Sequence, residues 1–229
     1  MEQAQKEEGE KSYPFNVRDC ALVAIATGIR AQNLREFREG LLNAHSGSIY
    51  HHFWGRLLHP QFDEPEYNND FASWAAHGLH EKALAERLSM IDPADFSDIE
   101  ELRQKLVDVV EARLDESEMV PWSRADQQFH FLRAQIVVLD TGKSLEDPRE
   151  LAKILPQMSP GSIFYHFIDA RRRTLDHGDD FCTWLLGIDH GYEKLQEELK
   201  AIDPYFSSLE EIRNILTSIF DRHFNGGGK

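Results

Sequence analysis

Cysteine is scarce in this sequence of 229 residues. Its two cysteines, Cys20 and Cys182, belong neither to a CxxC pair nor to any other metal-ligand spacing. A fold held by disulfides or by cysteine-bound zinc is therefore not expected. The sequence predicts two small buried thiols instead.

Long apolar runs are also missing. The run ALVAIA from Ala21 is far shorter than the roughly 20 residues that cross a bilayer. The N-terminus lacks the apolar segment of a secretion signal. With 41% hydrophobic residues the chain can still bury a core, so we expect a folded cytoplasmic protein without a membrane partner.

Positive charge is in short supply. Lysine and arginine number 25 against 40 acidic residues, which gives a net charge of -15. Such a chain repels phosphate backbones at long range, so a nucleic-acid partner is not expected. The exception to the acidic pattern is one basic cluster, Arg171 to Arg173.

Several motifs of common enzyme classes are absent. The sequence has no P-loop, no GxGxxG after a strand, no GxSxG and no HExxH. NTPase, dinucleotide-dependent dehydrogenase, α/β-hydrolase and metalloprotease functions therefore lack their usual support. We predict no cofactor and no metal, although eleven histidines keep a metal site as an alternative.

What the sequence does contain is a repetition. GSIYHHF begins at Gly47 and GSIFYHF begins at Gly161, 114 residues later. Further matches keep the same order. At an offset of 114 residues, Phe15 matches Phe129, Thr27-Gly28 matches Thr141-Gly142, and Arg35-Glu36 matches Arg149-Glu150. At an offset of 110 residues, Asp70-Phe71 matches Asp180-Phe181, and Trp74 matches Trp184. We infer a gene-duplicated pair of about 100 residues each, not a solenoid.

The repetition divides the chain. We predict a disordered acidic arm over 1–12, a first repeat over 13–114, a linker over 115–128, a second repeat over 129–224 and a disordered tail over 225–229.

Each repeat predicts one strand followed by four to five helices. FNVRDCALVAIATG from Phe15 and FHFLRAQIVVLDTG from Phe129 have the β-branched and aromatic content of strands. GSIYHHF shows helical spacing, with a short buried strand as the alternative. The predicted fold is mainly α (α+β): two tandem homologous repeats whose strands pair about a pseudo-twofold axis, because a lone strand cannot satisfy its backbone.

Helix starts are predicted from capping residues. We expect Ser48 and Asp70 to cap their helices, and Ser97 with Glu100 to form a capping box, as Ser207 does with Glu210.

Two histidines stand at matching places in apolar segments. We predict that His52 lies within about 5 Å of Asp70, and His166 within about 5 Å of Asp180, as hydrogen-bonded pairs. The favoured interpretation is structural. The alternative makes these four residues catalytic candidates, with His166 as general base and Asp180 orienting it.

The run DARRR, from Asp169 to Arg173, occurs in the second repeat alone. Guanidinium groups suit phosphate or carboxylate recognition, so Arg171, Arg172, Asp169 and His166 are the predicted ligand-binding residues. A solvated face of ion pairs is the alternative.

These motifs resemble those of a known family. SIYHHF and SIFYHF, NDFASW and DDFCTW, and IDP before a long helix are similar to a bacterial and archaeal family known only as a domain of unknown function. The resemblance covers about Phe15 to Phe224 and brings no active site with it. It implies a link with carbohydrate metabolism, since relatives occur with sugar-nucleotide glycosyltransferases.

The sequence thus favours a ligand-binding or regulatory module for an anionic small molecule such as a sugar phosphate. Two alternatives stay open: a protein-interaction or scaffold subunit without a small-molecule site, and a His–Asp acid-base enzyme linked to carbohydrate metabolism. The oligomeric state is left open.

Overall fold

The computed structural model describes residues 13–58, 66–116, 123–174, 177–188 and 190–225. The predicted arm over 1–12, most of the predicted tail and positions 117–122 of the predicted linker lie outside these ranges. No helix among the described residues is both long and apolar enough to cross a membrane.

Within these ranges the fold is mostly helical, with one antiparallel sheet of two strands. Strand β1 and helices α1 to α5 occupy the first part of the chain, at Phe15–Ala31, Leu34–Asn43, Ser46–Trp54, Asp70–His77, Lys82–Ser89 and Ile99–Glu116. Strand β2 and helices α6 to α11 follow at Phe129–Leu145, Pro148–Ile154, Pro160–Ile163, Ala170–Arg173, Asp180–Leu186, Glu193–Lys200 and Leu209–Asn225. The mainly helical α+β class and the pairing of the two strands are as predicted.

The described chain forms two compact units. The N-terminal unit comprises 20–138 and 204–209, and the C-terminal unit comprises 13–19, 139–203 and 210–225. Each unit therefore contains part of β1 and part of β2. The repeat boundaries at 13–114 and 129–224 remain a prediction.

In the N-terminal unit the core is built on phenylalanines. The Phe37 ring of α1 lies 5.2 Å from Phe129 and 5.8 Å from Phe131, both on β2, and 5.9 Å from Phe71 of α3. All four side chains are buried. The start of β2 is thus held by α1 and α3, because its apolar side chains alternate into this aromatic cluster.

In the C-terminal unit the start of β1 packs on helix α9, as the start of β2 packs on α3 in the N-terminal unit. The Phe15 ring lies 5.5 Å from Phe181 and 5.1 Å from Trp184, both on α9. The indole N–H of Trp184 donates to the Tyr13 carbonyl at 2.9 Å. In the N-terminal unit the Trp74 indole donates to the Gln127 carbonyl at 2.7 Å. Both tryptophans are buried and anchor the core of their unit.

Three predicted caps are wrong by one or a few residues. Helix α2 is capped by His45, whose Nδ1 accepts the Gly47 N–H, so Ser48 lies inside the helix. Helix α3 is capped by Asn69 instead of Asp70. At α5 the Asp98 carboxylate accepts the N–H groups of Glu100 and Glu101, which displaces the predicted capping box.

The second copy of the histidine motif is helical but not regular. After α7, residues Phe164–Asp169 form a π-helix, and α8 follows directly. A π-helical insertion rotates every later side chain relative to an α-helix and is typical of functional segments.

Gly40 of α1 is a point of close approach. A Cβ atom at Gly40 would lie 2.2 Å from the Phe131 ring, which is buried and has no room to yield. Gly40→Ala is therefore expected to lower the free energy of unfolding by about 1–3 kcal/mol, measured by urea denaturation. Gly187→Ala is the matched control, because its Cβ would have no neighbour closer than 3.5 Å. Equal effects of the two changes would contradict the packing described.

Candidate functional site

The two predicted His–Asp pairs form. His52 Nδ1 lies 2.9 Å from Asp70 Oδ2, and His166 Nδ1 lies 2.8 Å from Asp180 Oδ2. Both imidazole rings are only 3% exposed. The proximity predicted from the sequence is confirmed.

The other nitrogen of each ring binds a strand. In the N-terminal unit, His52 Nε2 accepts the backbone N–H of Leu132 at 3.1 Å. In the C-terminal unit, His166 Nε2 accepts the backbone N–H of Arg18 at 2.8 Å. The Arg18 carbonyl in turn accepts the Ser162 hydroxyl at 2.7 Å. Two residues of GSIFYHF thus occupy both backbone groups of Arg18 at the outer edge of β1.

These contacts fix the tautomer. A backbone N–H can only donate, so Nε2 of each ring must carry a lone pair and the ring proton must sit on Nδ1, where it is donated to the aspartate. Neither nitrogen is left to take a proton from a substrate. The geometry of both pairs therefore favours a structural role over the general-base role.

A metal-ligand cluster exists in the N-terminal unit. His51, His52 and Asp70 each offer a ligand atom, and these atoms lie within 4.8 Å of one another. A cation on Nδ1 of His52 would require the ring proton to move to Nε2, where the Leu132 N–H already points. The chemistry of this donor set therefore opposes a metal, and the absence of one remains a prediction.

The three arginines of DARRR point to internal acids. The side chain of Asp169 is 2% exposed. Its Oδ1 forms an ion pair with Arg172 Nη2 at 3.0 Å, and its Oδ2 forms one with Arg173 Nε at 3.0 Å. The Arg171 guanidinium lies 4.9 Å from the Phe167 ring and interacts with Asp179. Of the four predicted ligand-binding residues, His166 alone lines the pocket described next. Ion pairing accounts for much of this cluster.

Arg173 connects the cluster to the His–Asp pair. Its guanidinium stacks on Tyr165 at 4.0 Å from the ring centre and donates to Asp180 Oδ2 at 3.0 Å. Burial lowers the pKa of Arg173, but the hydrogen bond and charge of Asp180 outweigh it and leave the pKa raised. Asp180 is thereby neutralised by an arginine on one side while it orients His166 on the other.

A concave pocket of about 270 Å³ opens beside this pair. It is lined by Tyr13, Pro14, Phe15, Asn16, Arg18, Tyr165, His166, Asp180, Thr183 and Trp184. In the N-terminal unit, a pocket of about 370 Å³ lies between the end of β1 and α1 and is not lined by His52 or Asp70. The second motif therefore adjoins a concave surface.

Arg18 is the pocket residue that sequence reasoning missed. Its backbone is held by His166 and Ser162, and its guanidinium pairs with Asp140 at 2.5 Å while remaining 35% exposed. The backbone N–H of Gly142 and then the charge of Arg18 lower the pKa of Asp140. A single arginine on an alternating strand gives no local signal, because its placement depends on the long-range contact with His166.

The buried thiol of Cys182 is not a nucleophile. Burial raises the pKa of Cys182, and Asp179 raises it further, so the reactive thiolate is disfavoured. Cys20 and Cys182 are both buried and form no disulfide, as predicted.

Removing either imidazole should be costly. His52→Ala and His166→Ala are each expected to lower the free energy of unfolding by about 2–4 kcal/mol, because a cavity opens and a strand N–H loses its acceptor. Urea denaturation measures the loss, and His130→Ala at an exposed position of β2 is the matched control. Ring ¹⁵N chemical shifts showing a proton on Nε2 of either residue would contradict the structural assignment.

Asp179 gives a pH dependence. It caps α9 through the Cys182 N–H, and burial raises its pKa. A carboxyl whose pKa is raised by folding stabilises the fold fully below the ordinary aspartate range, and this stability is lost as the pH rises through the folded pKa.

Asp179→Asn keeps a good cap and removes the charge. The stability of the wild type relative to this variant is therefore expected to decline from about pH 4 upward, measured by urea denaturation across pH 4 to 7. Asp147→Asn, at the half-exposed cap of α6, is the control. A pH-independent difference between wild type and Asp179→Asn would refute the assignment.

The chain is similar to a protein family and to a solved structure. No curated protein matches the chain. A solved structure, described as the structure of OrfY from Thermoproteus tenax, is similar with a TM-score of 0.79 and 28% sequence identity, over 95% of this chain and 99% of that one. The family of unknown function DUF5752 matches residues 12–221. The chain belongs to this family.

Proposed function

We propose that the protein is a cytoplasmic ligand-binding or regulatory module, whose pocket in the C-terminal unit takes an anionic small molecule such as a sugar phosphate. The observation that carries the proposal is Arg18 in the lining of that pocket, with a half-exposed side chain paired with Asp140, on a backbone held by His166 and Ser162. A preorganised cation beside aromatic walls suits recognition of a small phosphate ester.

The local charge balance supports an anion. Asp180 and Asp169 are paired with arginines, Asp140 is paired with Arg18, and the Arg18 guanidinium has further donors beyond this contact. The π-helix at Phe164–Asp169 and the left-handed backbone of His177, with φ of 52°, add two features that concentrate at functional sites. The resemblance to relatives found with glycosyltransferases is why a sugar phosphate is proposed among the possible anions.

The two halves are proposed to descend from a duplication. Contacts recur between matched residues: His52 with Leu132 and His166 with Arg18 at an offset of 114, and Trp74 with Gln127 and Trp184 with Tyr13, where the tryptophans are 110 residues apart and their partners 114. The Thr27 hydroxyl donates to the Phe131 carbonyl as that of Thr141 does to Val17. In each pair the residue numbers correspond, which supports two repeats about a pseudo-twofold axis.

A second candidate function is a protein-interaction subunit. Apolar side chains are exposed in the middle of the sheet, at Val23 on β1 and at Val137 and Val138 on β2. The third alternative, a His–Asp enzyme, has less support, because both nitrogens of His166 are engaged.

The test of the pocket is ligand-dependent stabilisation. Glucose 6-phosphate, UMP and inorganic phosphate are added separately to the purified chain, and the melting temperature is recorded against neutral glucose. A ligand at 100 times its Kd adds about 2.7 kcal/mol to stability. Arg18→Gln is expected to abolish the shift. Arg133→Gln, on β2 in the N-terminal unit, is expected to keep it. Equal shifts in the two variants, or no shift with any anion, would refute the pocket.

A further inference from the structure

Arg173, the last residue of α8, contacts two residues that line the pocket of the C-terminal unit. Its Nη2 donates to the Tyr165 carbonyl at 2.8 Å and to Asp180 Oδ2 at 3.0 Å. Its guanidinium carbon lies 4.0 Å from the centre of the Tyr165 ring, within the range of a cation–π contact. Arg173 itself is not among the described lining residues. The pocket wall is thus supported by a positive charge from outside the lining.

The charge of the pocket wall depends on this contact. Among the described lining residues, Asp180 is the one acid and Arg18 the one arginine. Arg18 is paired with Asp140, so an anion that enters the pocket also meets the Asp180 carboxylate, whose side chain is 20% exposed. A carboxylate without a counter-ion repels a phosphate group at short range. Arg173 supplies that counter-ion, so the wall is compatible with an anion.

The two bonds to Asp180 converge on one oxygen. His166 Nδ1 lies 2.8 Å from Oδ2, and Arg173 Nη2 lies 3.0 Å from the same atom. An asparagine keeps one acceptor oxygen and has no negative charge. The charge of this residue can therefore be removed while both hydrogen bonds are kept, which separates an electrostatic role of Arg173 from a purely structural one.

The N-terminal unit shows that a His–Asp pair does not require so close a guanidinium. His52 Nδ1 lies 2.9 Å from Asp70 Oδ2, but Arg56 Nε lies 3.8 Å from Asp70 Oδ1, which is too far for a hydrogen bond. Asp70 is not among the described residues that line the pocket of that unit. The closer arginine is found at the acid that lines a pocket. This difference favours a role of Arg173 in the pocket.

We propose that Arg173 is a positioning residue that fixes the charge class of the ligand. By neutralising Asp180 it makes the pocket accept a small anion, and by its contacts with Tyr165 it holds the aromatic part of the wall beside that anion. This inference rests on the proposed function of the pocket and deepens it, because it assigns the choice of an anion to a residue outside the lining.

The first test removes the charge of Arg173. Arg173→Met keeps the length of the side chain, and isothermal titration calorimetry is expected to show about tenfold weaker binding of glucose 6-phosphate, because the ligand meets an uncompensated carboxylate. Arg222→Met is the matched control, since it removes the same charge from an ion pair with Glu198 in the same unit and is expected to bind as the wild type does. Urea denaturation establishes that both variants fold.

The second test removes the charge of Asp180. Asp180→Asn is expected to bind glucose 6-phosphate about threefold more tightly than the wild type, because the carboxylate that opposes the anion is gone. In the double variant of Arg173→Met and Asp180→Asn, the affinity is expected to return to within about threefold of the wild type. Arg173→Lys keeps the positive charge and is expected to bind more tightly than Arg173→Met.

Three results would each overturn the proposal. They are equal binding by the wild type and the folded Arg173→Met variant, a double variant as weak as Arg173→Met, and an Asp180→Asn variant that binds no more tightly than the wild type. The last result requires no change at Arg173, so it decides the matter even where Arg173→Met does not fold.

Failure of this inference differs from failure of the proposed function. If the wild type binds neither glucose 6-phosphate nor inorganic phosphate, the proposed function is refuted and this inference with it. If this inference alone is wrong, the wild type still binds the anion and Arg18→Gln still abolishes the binding.

Discussion

An antiparallel sheet of two strands leaves one edge of each strand without a strand partner, and the fold depends on how those edges are satisfied. In the N-terminal unit the N–H of Leu132 meets the ring of His52, and in the C-terminal unit the N–H of Arg18 meets the ring of His166. A buried N–H without an acceptor costs more than a typical hydrogen bond gains. The imidazole supplies that acceptor from a helix, where a third strand would otherwise be required.

The aspartates make this arrangement specific. A neutral imidazole can accept at Nε2 or at Nδ1, and an acceptor fixed at Nδ1 selects the first form. Asp70 and Asp180 supply it at 2.9 and 2.8 Å. The helix pair α2–α3 is thus bound to β2 through the ring of His52. The segment from Phe164 to α9 is bound to β1 through the ring of His166. A His–Asp pair in an apolar segment resembles a catalytic dyad in sequence, but here both ring nitrogens are occupied by the protein itself.

The sequence predicts the elements and the pairs because these depend on local pattern. The composition of the two segments identifies both strands. The order of matched residues in the two copies predicts which aspartate pairs with each histidine. The cap of α3 was missed by one residue, because the adjacent Asn69 and Asp70 offer two acceptors and the buried His52 binds the second. The π-helix was missed because six residues are too few for the apolar spacing to separate π-helical from α-helical pairing.

Features that depend on long-range contact lie beyond such patterns, and the proposed function rests on them. Arg18 reaches the pocket because His166, 148 residues away in sequence, holds its backbone. Each imidazole covers one N–H of a 17-residue strand, and in the middle of the sheet Val23, Val137 and Val138 are exposed. Because each imidazole satisfies one position of a strand edge, the half-exposed side chain of Arg18 and the uncharged residues 134–139 of β2 lie outside what these two rings cover.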